Sequence, residues 1–597
     1  MPATVSEIVE AHRSGAARPE DTVSESIRRI RACGDPAIFI SVADEATAIA
    51  QAREAARNLS LPLCGVPVAV KDNIDAVGFP TTAACPAFSY SPKQDATAVA
   101  KLKAAGAIVV GKTNLDQFAT GLVGVRSPYG VPRNPFDPAM IPGGSSSGSA
   151  VAVSRGLVPL SLGTDTAGSG RVPAGLNNLV GLKPTLGLVS TSGVVPACRS
   201  LDCVSIFSLT VDDAWTALQA ISGFDDRDAY SRPIPLGEPS ALPPVTRLGV
   251  PRKEDRHFFG DRRAAQAFEQ SIDHARSAGA TIIELDFSRF LEAARLLYEG
   301  PWVAERTAAV GEFIAKNPDK THPVTRAIVE SGLKLNAVDA FRAFYRMQEL
   351  RAEARRIMMT VDTLMVPTVP RAYTLAELEA EPVRFNSNLG TYTNFVNLLD
   401  LCGLAVPVTI AEGGMPYGST LLATGGNDAR LMSLGRAMHL KSGLTLGALG
   451  AAQPAPKAPA ALAKGEIAVG VIGAHLSGMA LNHELTSLGA RFLEALRTAP
   501  DYRLYALKGE GPARPGMLRV AKGAGVPIEA ELWALSEQAF GKFVATIPSP
   551  LSIGTVHFEN GRSAKGFLVE AEAVHGAEEI SSFGGWRNYV GSQRKSA

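Results

Sequence analysis

Short apolar runs and amphipathic segments alternate along the first 210 residues of the chain. Helical spacing of apolar residues predicts four helices, and β-branched runs predict two strands. The helices cover residues 5–14, 19–32, 44–57 and 96–105, and the strands cover 63–70 and 108–110. The short runs 150–153 and 157–162 suit a buried helix and a buried strand. This alternation predicts an α/β fold with a mixed or parallel central sheet covered by helices.

The second half of the chain is divided by a stretch rich in proline and alanine. A Pro-rich passage at 232–244 precedes a charged region at 245–360 whose pattern is helical. Residues 449–462 read LGAAQPAPKAPAAL, which is typical of a semi-rigid linker. We therefore predict a large domain over 1–448, a linker over 449–463 and a C-terminal domain over 464–597.

The predicted C-terminal domain mixes helical and strand patterns on a smaller scale. Its predicted strands are 467–472, 555–558 and 566–572, and its predicted helical segments are 482–496 and 528–543. This order predicts a small α+β domain.

Composition narrows the class of protein. The 597 residues are 46% hydrophobic and 20% charged, as in ordinary globular proteins, and the net charge is +1. This balance gives no support to a nucleic-acid or membrane partner. The six cysteines show neither zinc-like spacing nor a disulfide framework, the N-terminus lacks an apolar signal core, and no uninterrupted apolar run reaches membrane-spanning length. We therefore expect a cytoplasmic protein.

The most distinctive stretch is a block of glycine, serine and small apolar residues at 143–174. It opens with three serines between glycines at 145–147 and later places Ser169 after a glycine-bearing turn at 164–168. Glycine beside serine lets the backbone turn sharply and lets a substrate approach main-chain N–H groups. Two serine-bearing loops joined by buried elements can face each other across one pocket.

A serine nucleophile needs a neighbouring base, and Lys71 is the candidate. No histidine lies between His12 and His257, whereas Lys71 ends an almost wholly apolar run at 63–70. Burial disfavours the charged ammonium, so a buried lysine can supply a neutral amine that accepts a proton. Taken alone, Lys71 has an alternative interpretation as a strand-end lysine with a solvated head.

Lys71, Ser145 and Ser169, at intervals of 74 and 24 residues, resemble the Lys–Ser–Ser constellation of the amidase signature family. The resemblance covers residues 20–445 and implies the amidase-signature fold. It implies that Ser169 is the nucleophile, that Ser145 is a bridging serine held by a cis peptide, and that Lys71 is the base acting through Ser145.

The same resemblance implies an oxyanion hole made of main-chain N–H groups. The implied donors are those of Thr166, Ala167, Gly168 and Ser169, and preorganised donors of this kind stabilise a developing alkoxide. The family usually has glycine where Ala167 stands and a bulkier apolar residue where Gly170 stands. We expect this departure to reshape the pocket and to leave the chemistry intact.

Two other motif matches fail on their context. Residues 106–113 fit the phosphate-loop pattern GxxxxGK[ST], but the loop interior is Ala-Ile-Val-Val, which predicts a strand. Residues 144–148 fit the GxSxG elbow of α/β-hydrolases, but Pro142 and Gly143 stand where that fold requires a strand. A matching downstream histidine is also missing, so we reject both.

Residues 291–310 predict one amphipathic helix that carries Tyr298 and Arg306. Eight residues of α-helix would separate the pair by about 12 Å along the axis and about 80° around it. An arginine snorkelling from the helix is one interpretation. The stretch 298–306, however, resembles the substrate-recognition helix of allophanate hydrolases, which implies that both side chains bind a substrate carboxylate. Residues 385–407 are similar to the same subfamily, either as a pocket wall or as a helix packed on the sheet.

In the C-terminal domain, residues 471–478 (VIGAHLSG) resemble the start of the matching domain of allophanate hydrolases, which is related to gamma-glutamyl cyclotransferase-like folds. The resemblance places a functional histidine at His475, and a hydrogen-bonded structural histidine is the alternative. His483 has no ligand cluster around it in the sequence, so we expect no metal site.

These features predict an enzyme that hydrolyses allophanate (urea-1-carboxylate) to ammonia and carbon dioxide without a metal or organic cofactor. The predicted partners are the small carboxylated urea and a second copy in a homodimer, with a functional link to a urea carboxylase. Two alternatives stay open. One is another amidase-signature enzyme acting on small amides or on charged tRNA, and the other is a non-catalytic assembly protein on the amidase scaffold.

Overall fold

Eleven strands form one mixed sheet, and most of its residues belong to the larger of two structural units. The computed structural model describes residues 4–459, 461–508 and 514–596. The larger unit comprises residues 1–236, 248–278 and 282–456, and the smaller comprises 237–247, 279–281 and 457–597. The domain limits predicted from sequence stay predictions, and Ala460 of the predicted linker lies outside the described residues.

The strands of the large sheet are short and mostly buried. In chain order they are β1 (Phe39–Val42), β2 (Pro67–Lys71), β3 (Ile108–Thr113), β4 (Leu160–Asp165), β5 (Val180–Lys183), β6 (Cys203–Ser208), β7 (Thr246–Pro251), β8 (Ala280–Leu285), β9 (Thr363–Pro367), β10 (Leu401–Ile410) and β11 (Pro416–Thr424). Their order across the sheet is β1-β3-β2-β4-β6-β5-β10-β11-β9-β7-β8.

Sixteen helices accompany this sheet within the described residues. They are α1 (Val5–Arg13), α2 (Pro19–Ala32), α3 (Glu45–Ala55), α4 (Thr97–Ala104), α5 (Ser147–Ser154), α6 (Val172–Leu176), α7 (Val211–Ile221), α8 (Arg262–Ser277), α9 (Ser288–Glu299), α10 (Trp302–Lys316), α11 (Pro323–Ser331), α12 (Ala337–Met358), α13 (Leu375–Ala380), α14 (Arg384–Leu389), α15 (Phe395–Leu398) and α16 (Asp428–Ser442). The predicted architecture, a mixed sheet covered by helices, is confirmed.

The sheet brings the two loops that carry candidate chemistry to one edge. Strand β2 is parallel to β4 and hydrogen-bonded to it, and every residue of both strands is buried. Parallel neighbours end at the same edge of a sheet, where pockets form in α/β folds. Lys71 is the last residue of β2 and Asp165 the last of β4, so the side chains that follow β4 lie near Lys71.

The predicted single helix over 291–310 is wrong. Helix α9 ends at Glu299, and α10 begins at Trp302. Between them Gly300 has an extended backbone (φ −102°, ψ −170°), and Pro301 lacks the N–H that a continuous helix needs. The strands β7 and β8 also interrupt the region predicted as helical from 245 to 360.

The smaller unit contains two sheets. Its strands are β12 (Glu466–Val471), β13 (Arg491–Arg497), β14 (Tyr502–Leu507), β15 (Arg514–Arg519), β16 (Glu529–Ser536), β17 (Leu551–His557), β18 (Ser563–Val569) and β19 (Glu578–Glu579). One sheet has the order β13-β16-β12-β18-β17, and the other has the order β15-β14-β19. The helices are α17 (Asn482–Thr486), α18 (Glu537–Ala545) and α19 (Trp586–Ser596).

Two predicted helical segments of this unit are largely strand. Residues 491–497 form β13, after α17 has ended and Gly489 has adopted φ +78°. Residues 529–536 form β16, because β12 and β13 supply main-chain partners on both sides. The helix α18 begins only after Ser536, whose side chain caps it. Neighbouring strands therefore override local helical propensity here.

A buried ionic cluster fixes the C-terminal helix α19 within the smaller unit. Glu531 is fully buried and accepts hydrogen bonds from the Ser477 amide (2.8 Å), the Ser477 hydroxyl (2.6 Å) and Trp533 Nε1 (3.0 Å). Arg587 of α19 pairs with Glu529 and Glu531 and donates to the Ser477 carbonyl at 2.8 Å. A buried carboxylate of this kind depends on its cation.

We expect Arg587→Ala to destabilise the smaller unit by about 3–5 kcal/mol, because it leaves the Glu531 charge buried without a cation. Native-state hydrogen exchange of peptides from β12 and β16 measures this opening free energy. The control is Arg503→Ala, which removes an exposed pair with Glu579 and is expected to cost under about 1 kcal/mol. Equal protection in both variants would contradict the role of the cluster.

No helix within residues 4–459, 461–508 and 514–596 is both long and apolar enough to cross a lipid bilayer.

Candidate active site

Lys71 ends β2 with its amine completely buried. Its Nζ lies 2.7 Å from Ser145 Oγ and 2.7 Å from Thr164 Oγ1. Burial lowers the pKa of Lys71 to about 7, against the attraction of three carboxylates, those of Asp116, Asp165 and Asp202. The amine is therefore substantially neutral near pH 7, and the Ser145 hydroxyl can then donate to it. The alternative interpretation of a solvated lysine head is wrong.

Ser145 is held at the start of a tightly packed loop. The Gly144–Ser145 peptide is cis, as the resemblance implied, and the Ser145 carbonyl accepts the Asp116 amide at 3.0 Å. A Cβ at residue 144 would lie 2.1 Å from Asp116 Oδ2 and 2.4 Å from the Gly124 amide. Only glycine fits such an approach. Close packing thus fixes the serine that contacts Lys71.

Ser169 lies in the turn between β4 and α6, and its side chain is buried. Its Oγ lies 3.4 Å from the Gly121 carbonyl, a long hydrogen bond. Within the described residues no hydrogen bond joins the hydroxyls of Ser169 and Ser145. The structure therefore forms the Lys71–Ser145 link. The second link of the relay requires the Ser169 hydroxyl to turn away from Gly121.

Asp165 organises the turn that carries Ser169. Its carboxylate accepts the amides of Gly168 (2.9 Å) and Gly170 (3.0 Å) and forms a two-pronged ion pair with Arg171 at 2.9 Å on each oxygen. Burial alone would raise the pKa of Asp165, but the Arg171 guanidinium outweighs it and holds the pKa below its ordinary value. A charged carboxylate is therefore built into this turn.

The oxyanion hole stays a prediction, and its four candidate amides differ in whether another group already accepts a hydrogen bond from them. The amides of Thr166, Ala167 and Ser169 have no hydrogen-bond acceptor among the described residues, so they can serve an oxyanion. The prediction for Gly168 is wrong, because its amide already donates to Asp165. Gly168 instead supplies a conformation, with φ +133° and Thr393 Oγ1 only 2.5 Å from where a Cβ would stand. Its contribution is to shape the turn.

Residues 385–407 stabilise this turn through hydrogen bonds. Asn397 of α15 donates to the main-chain carbonyls of Asp165 and Leu201, both at 2.8 Å. Arg171 donates to Asn397 Oδ1 (3.3 Å) and to the Thr393 carbonyl (3.2 Å). The segment therefore packs on the sheet and also supports the nucleophile loop. The sequence pattern did not single out Asn397.

Tyr298 and Arg306 come together although they stand on different helices. The Arg306 guanidinium lies over the Tyr298 ring, 5.4 Å from its centroid, and Nη1 donates to Thr120 Oγ1 at 3.1 Å. Arg306 is buried, and its Nε has no partner among the described residues. A buried guanidinium with an unused donor calls for an anionic ligand. The predicted pair is therefore equipped to hold a carboxylate.

Arg126 is a second buried arginine at this place, and the sequence pattern did not reveal it. It donates to the Thr120 carbonyl at 2.9 Å and to the Pro382 carbonyl at 3.0 Å. Burial lowers the pKa of Arg126, and the nearby positive charge of Arg306 contributes to that shift. Two guanidinium groups thus meet at Thr120 and favour a negatively charged ligand. Arg126 belongs to no sequence motif that would have indicated this role.

In the smaller unit, His475 follows β12 and lies between two aromatic rings. Its ring stacks on Phe567 (centroids 5.1 Å apart) and meets Phe543 edge-on at 5.1 Å. Its Nε2 lies 2.8 Å from Glu484 Oε2. Burial lowers the pKa of His475, against the attraction of Glu484. The carboxylate fixes one ring nitrogen, so the other is available to a ligand.

Within the part of the chain that the structure describes, no group of three or more His, Cys, Asp or Glu side chains is placed to hold a metal ion.

The chain matches two family models. The Amidase model covers residues 21–432, and the model of the allophanate hydrolase C-terminal domain covers residues 467–591. The structure of allophanate hydrolase from Kluyveromyces lactis is 40% identical, with a TM-score of 0.78, and the match covers 98% of this chain and 99% of that one.

Two curated relatives match different shares of the chain. A urea amidolyase from Lachancea kluyveri is 43% identical over 574 residues, which are 93% of this chain and 31% of the relative. The chain thus spans about a third of that protein's length. A glutamyl-tRNA(Gln) amidotransferase component from Nitratidesulfovibrio vulgaris is 34% identical over 461 residues, which are 70% of this chain and 93% of the relative.

We expect the reaction of Ser169 with a small fluorophosphonate to accelerate with pH through about 7, because only neutral Lys71 accepts a proton. Intact-protein mass spectrometry measures the labelling rate. Lys71→Met should slow labelling by about 10²–10⁴-fold at pH 8. The exposed Lys93→Met is the control and should label at the original rate. A rate independent of pH between 6 and 9 would exclude Lys71 as the base.

Proposed function

The chain belongs to the amidase family, and we propose that it hydrolyses allophanate (urea-1-carboxylate) to ammonia and carbon dioxide. One observation carries the choice of substrate. Arg306 donates to the Thr120 side chain, and Ser169 contacts the carbonyl of the adjacent Gly121. The candidate carboxylate anchor and the candidate nucleophile thus contact consecutive residues. A small amide with a carboxylate a few atoms from its carbonyl suits this spacing.

In the proposed first step, Ser169 Oγ attacks the terminal amide carbonyl of allophanate. Its proton passes to Ser145 as the Ser145 proton moves to neutral Lys71. The free amides of Thr166, Ala167 and Ser169 stabilise the oxyanion. The C–N bond then breaks, and ammonia departs with a proton returned along the same relay. Water hydrolyses the acyl-Ser169 ester, releasing N-carboxycarbamate.

Arg306 and Tyr298 are proposed to hold the substrate carboxylate. The guanidinium presents its unused donors to the two oxygens, and Tyr298 packs against the guanidinium face. Arg126 adds positive charge, but its guanidinium is engaged by the carbonyls of Thr120 and Pro382. We therefore assign it a positioning role through Thr120. Neutral amides would lack this attraction.

The smaller unit is proposed to process N-carboxycarbamate. Loss of one carboxyl group as carbon dioxide leaves the electron pair of the broken C–N bond on nitrogen, which must take up a proton. The product is carbamate, which breaks down to ammonia and carbon dioxide. His475 in its imidazolium form, with Nε2–H donated to Glu484 at 2.8 Å, is proposed to deliver this proton from Nδ1.

The wider setting is also a proposal. Urea amidolyases extend well beyond the matched segment, which supports a functional link to a urea carboxylase that supplies the substrate. Five buried free thiols suit a reducing compartment and support a cytoplasmic location. We also propose a homodimer, the commonest assembly of soluble enzymes. No part of this scheme uses a nucleic acid, a membrane or a cofactor.

An amidase acting on other small amides is the second candidate, and it is favoured by the amidotransferase similarity over 70% of the chain. That match covers 70% of the chain, whereas the Amidase model and the C-terminal domain model together match residues 21–432 and 467–591. A non-catalytic scaffold is the third candidate function.

Ser169→Ala should abolish ammonia release from allophanate while the protein stays folded. Unchanged release would exclude Ser169 as the nucleophile.

We expect Arg306→Leu to lower kcat/KM for allophanate by about a hundredfold or more, because a desolvated charge pair with the substrate is lost. Biuret, which carries an amide where allophanate carries its carboxylate, should be a poor substrate whose rate falls much less. Coupled ammonia detection measures both rates. The control is the exposed Arg342→Leu. A parallel loss on both substrates would count against carboxylate recognition.

We expect His475→Ala to change the products and not merely the rate. With ¹³C-labelled allophanate, early NMR spectra should show N-carboxycarbamate accumulating relative to carbon dioxide. His483→Ala is the matched control, since His483 is exposed and contacts only the Ala480 carbonyl in the described structure. An unchanged ratio of the two products in His475→Ala would remove His475 from the proposed step.

A further inference from the structure

A cavity of about 470 Å³ lies in the larger unit, between helix α12 and the loops that adjoin β5, β10 and β11. Its volume is within the range of about 300–1,000 Å³ that is usual for small-molecule sites. Among the described residues that line it, none is a candidate catalytic residue or part of the proposed carboxylate anchor. The cavity is therefore separate from the candidate active site, and its charged groups indicate what it would bind.

Four arginines and three aspartates line this cavity, and the three carboxylates already have donors within the protein. Asp400 pairs with Arg232 through both oxygens, at 2.8 and 3.0 Å. Asp228 accepts two main-chain amides, at 2.7 and 2.9 Å. Asp202 accepts the Thr166 hydroxyl at 2.5 Å and two main-chain amides at 2.9 and 3.2 Å. The other three arginines are therefore left without a carboxylate.

Those three arginines have most of their donors unused. Arg199 and Arg355 are exposed, and their guanidinium groups have no hydrogen bond or ion pair with any residue in 4–459, 461–508 or 514–596. Arg351 is half-buried and donates through Nε to the Leu398 carbonyl at 2.7 Å. Its two terminal nitrogens have no acceptor in the described part of the chain. The unsatisfied groups of the cavity are thus cations.

Two of these cations lie one turn apart on α12. A spacing of four residues brings the Cβ atoms of Arg351 and Arg355 within about 5–6 Å of each other, and like charges at this spacing repel. Burial lowers the pKa of Arg351, and the charge of Arg355 adds to that shift against the attraction of Asp400. The nearby Glu349 and Glu353 pair with other arginines. An anion between the two guanidinium groups would relieve this repulsion.

We infer that this cavity binds the diphosphate group of a small molecule through Arg199, Arg351 and Arg355. One guanidinium can donate two hydrogen bonds to one phosphate, so three guanidinium groups match two linked phosphates better than they match a single carboxylate. The inference does not depend on which amide Ser169 attacks.

Inorganic pyrophosphate and a nucleoside diphosphate share this chemistry, and Tyr230 favours the nucleoside. Tyr230 lines the same cavity, and 43% of its surface is exposed. An exposed aromatic ring beside a group of cations can stack on a base while the cations hold the phosphates. We therefore expect a nucleoside diphosphate to bind more tightly than pyrophosphate.

Pyrophosphate and ADP are the probes, and each is titrated calorimetrically into the full chain without a metal ion. Arg199→Ala and Arg355→Ala should each weaken the binding of both probes by at least about tenfold. Neither guanidinium has a partner in the described structure, so these variants should stay folded. The control is Arg356→Ala, which changes an exposed neighbour on α12 outside the cavity wall and should alter affinity by less than about twofold.

Tyr230→Ala separates the two sources of the diphosphate group. It should weaken ADP binding by at least about fivefold, because base stacking is lost, and leave pyrophosphate binding within about twofold. An unchanged ADP affinity in this variant would overturn the assignment to a nucleoside.

A second measurement uses the unmutated chain. Either probe should protect Arg355 from modification by phenylglyoxal, as measured by peptide mass spectrometry, while Arg356 reacts at its original rate. Absent protection of Arg355, or equal probe affinity with and without the Arg199 and Arg355 side chains, would overturn the inference. These measurements do not use allophanate, so failure of this site is distinguishable from failure of the proposed amidase reaction.

Discussion

The candidate chemistry depends on keeping an amine uncharged inside the protein. Lys71 is buried at the end of a wholly buried strand, where the ammonium form is penalised. Its direct contacts are hydroxyls, those of Ser145 and Thr164. The carboxylates that attract it do not form an ion pair with it among the described residues. A direct pair would hold the proton on the lysine, whereas burial without those charges would depress its basicity further.

The turn that carries Ser169 lies at the same edge of the sheet, and it has to be rigid while some of its main-chain amides stay unbound. Asp165 achieves this with its two oxygens, which take two amides of the turn and the Arg171 guanidinium. The loop is thereby tied down through Gly168 and Gly170, and the amides between and before them are left for an oxyanion. Asn397, which is 232 positions away in the sequence, adds a hydrogen bond to the Asp165 carbonyl. The amides of Gly168 and Gly170 thus hold the turn in place, and the amides of Thr166, Ala167 and Ser169 stay available to a ligand.

Local sequence patterns predicted those features whose determining residues lie close together in the chain. The glycine and serine block, Lys71 at a strand end and the helix over Pro19–Ala32 all follow from short-range rules. The strand at 108–113 also agrees with the rejection of a phosphate loop. The lysine–serine contact spans 74 positions, so its existence rested on a family resemblance and not on any local pattern.

The failures have a common physical origin in long-range partners. Gly168 lost its expected role because its amide is claimed by Asp165, a choice that only the folded turn reveals. Residues 529–536 became a strand because β12 and β13 flank them. The sequence pattern did not indicate Arg126, because its place at the site depends on a contact with Thr120. Arg306, which is distant in the sequence, also contacts Thr120. Propensity reports none of these pairings.

The adjacency of Thr120 and Gly121 in the chain constrains the spacing of the two contacts that these residues make. Thr120 accepts a hydrogen bond from Arg306 and Gly121 accepts one from Ser169, so the proposed carboxylate anchor and the proposed nucleophile contact neighbouring residues of one segment. A covalent backbone spacing of this kind cannot stretch. On the proposed roles of these residues, a longer homologue of the carboxylated amide is expected to place either its charge or its scissile bond correctly, but not both.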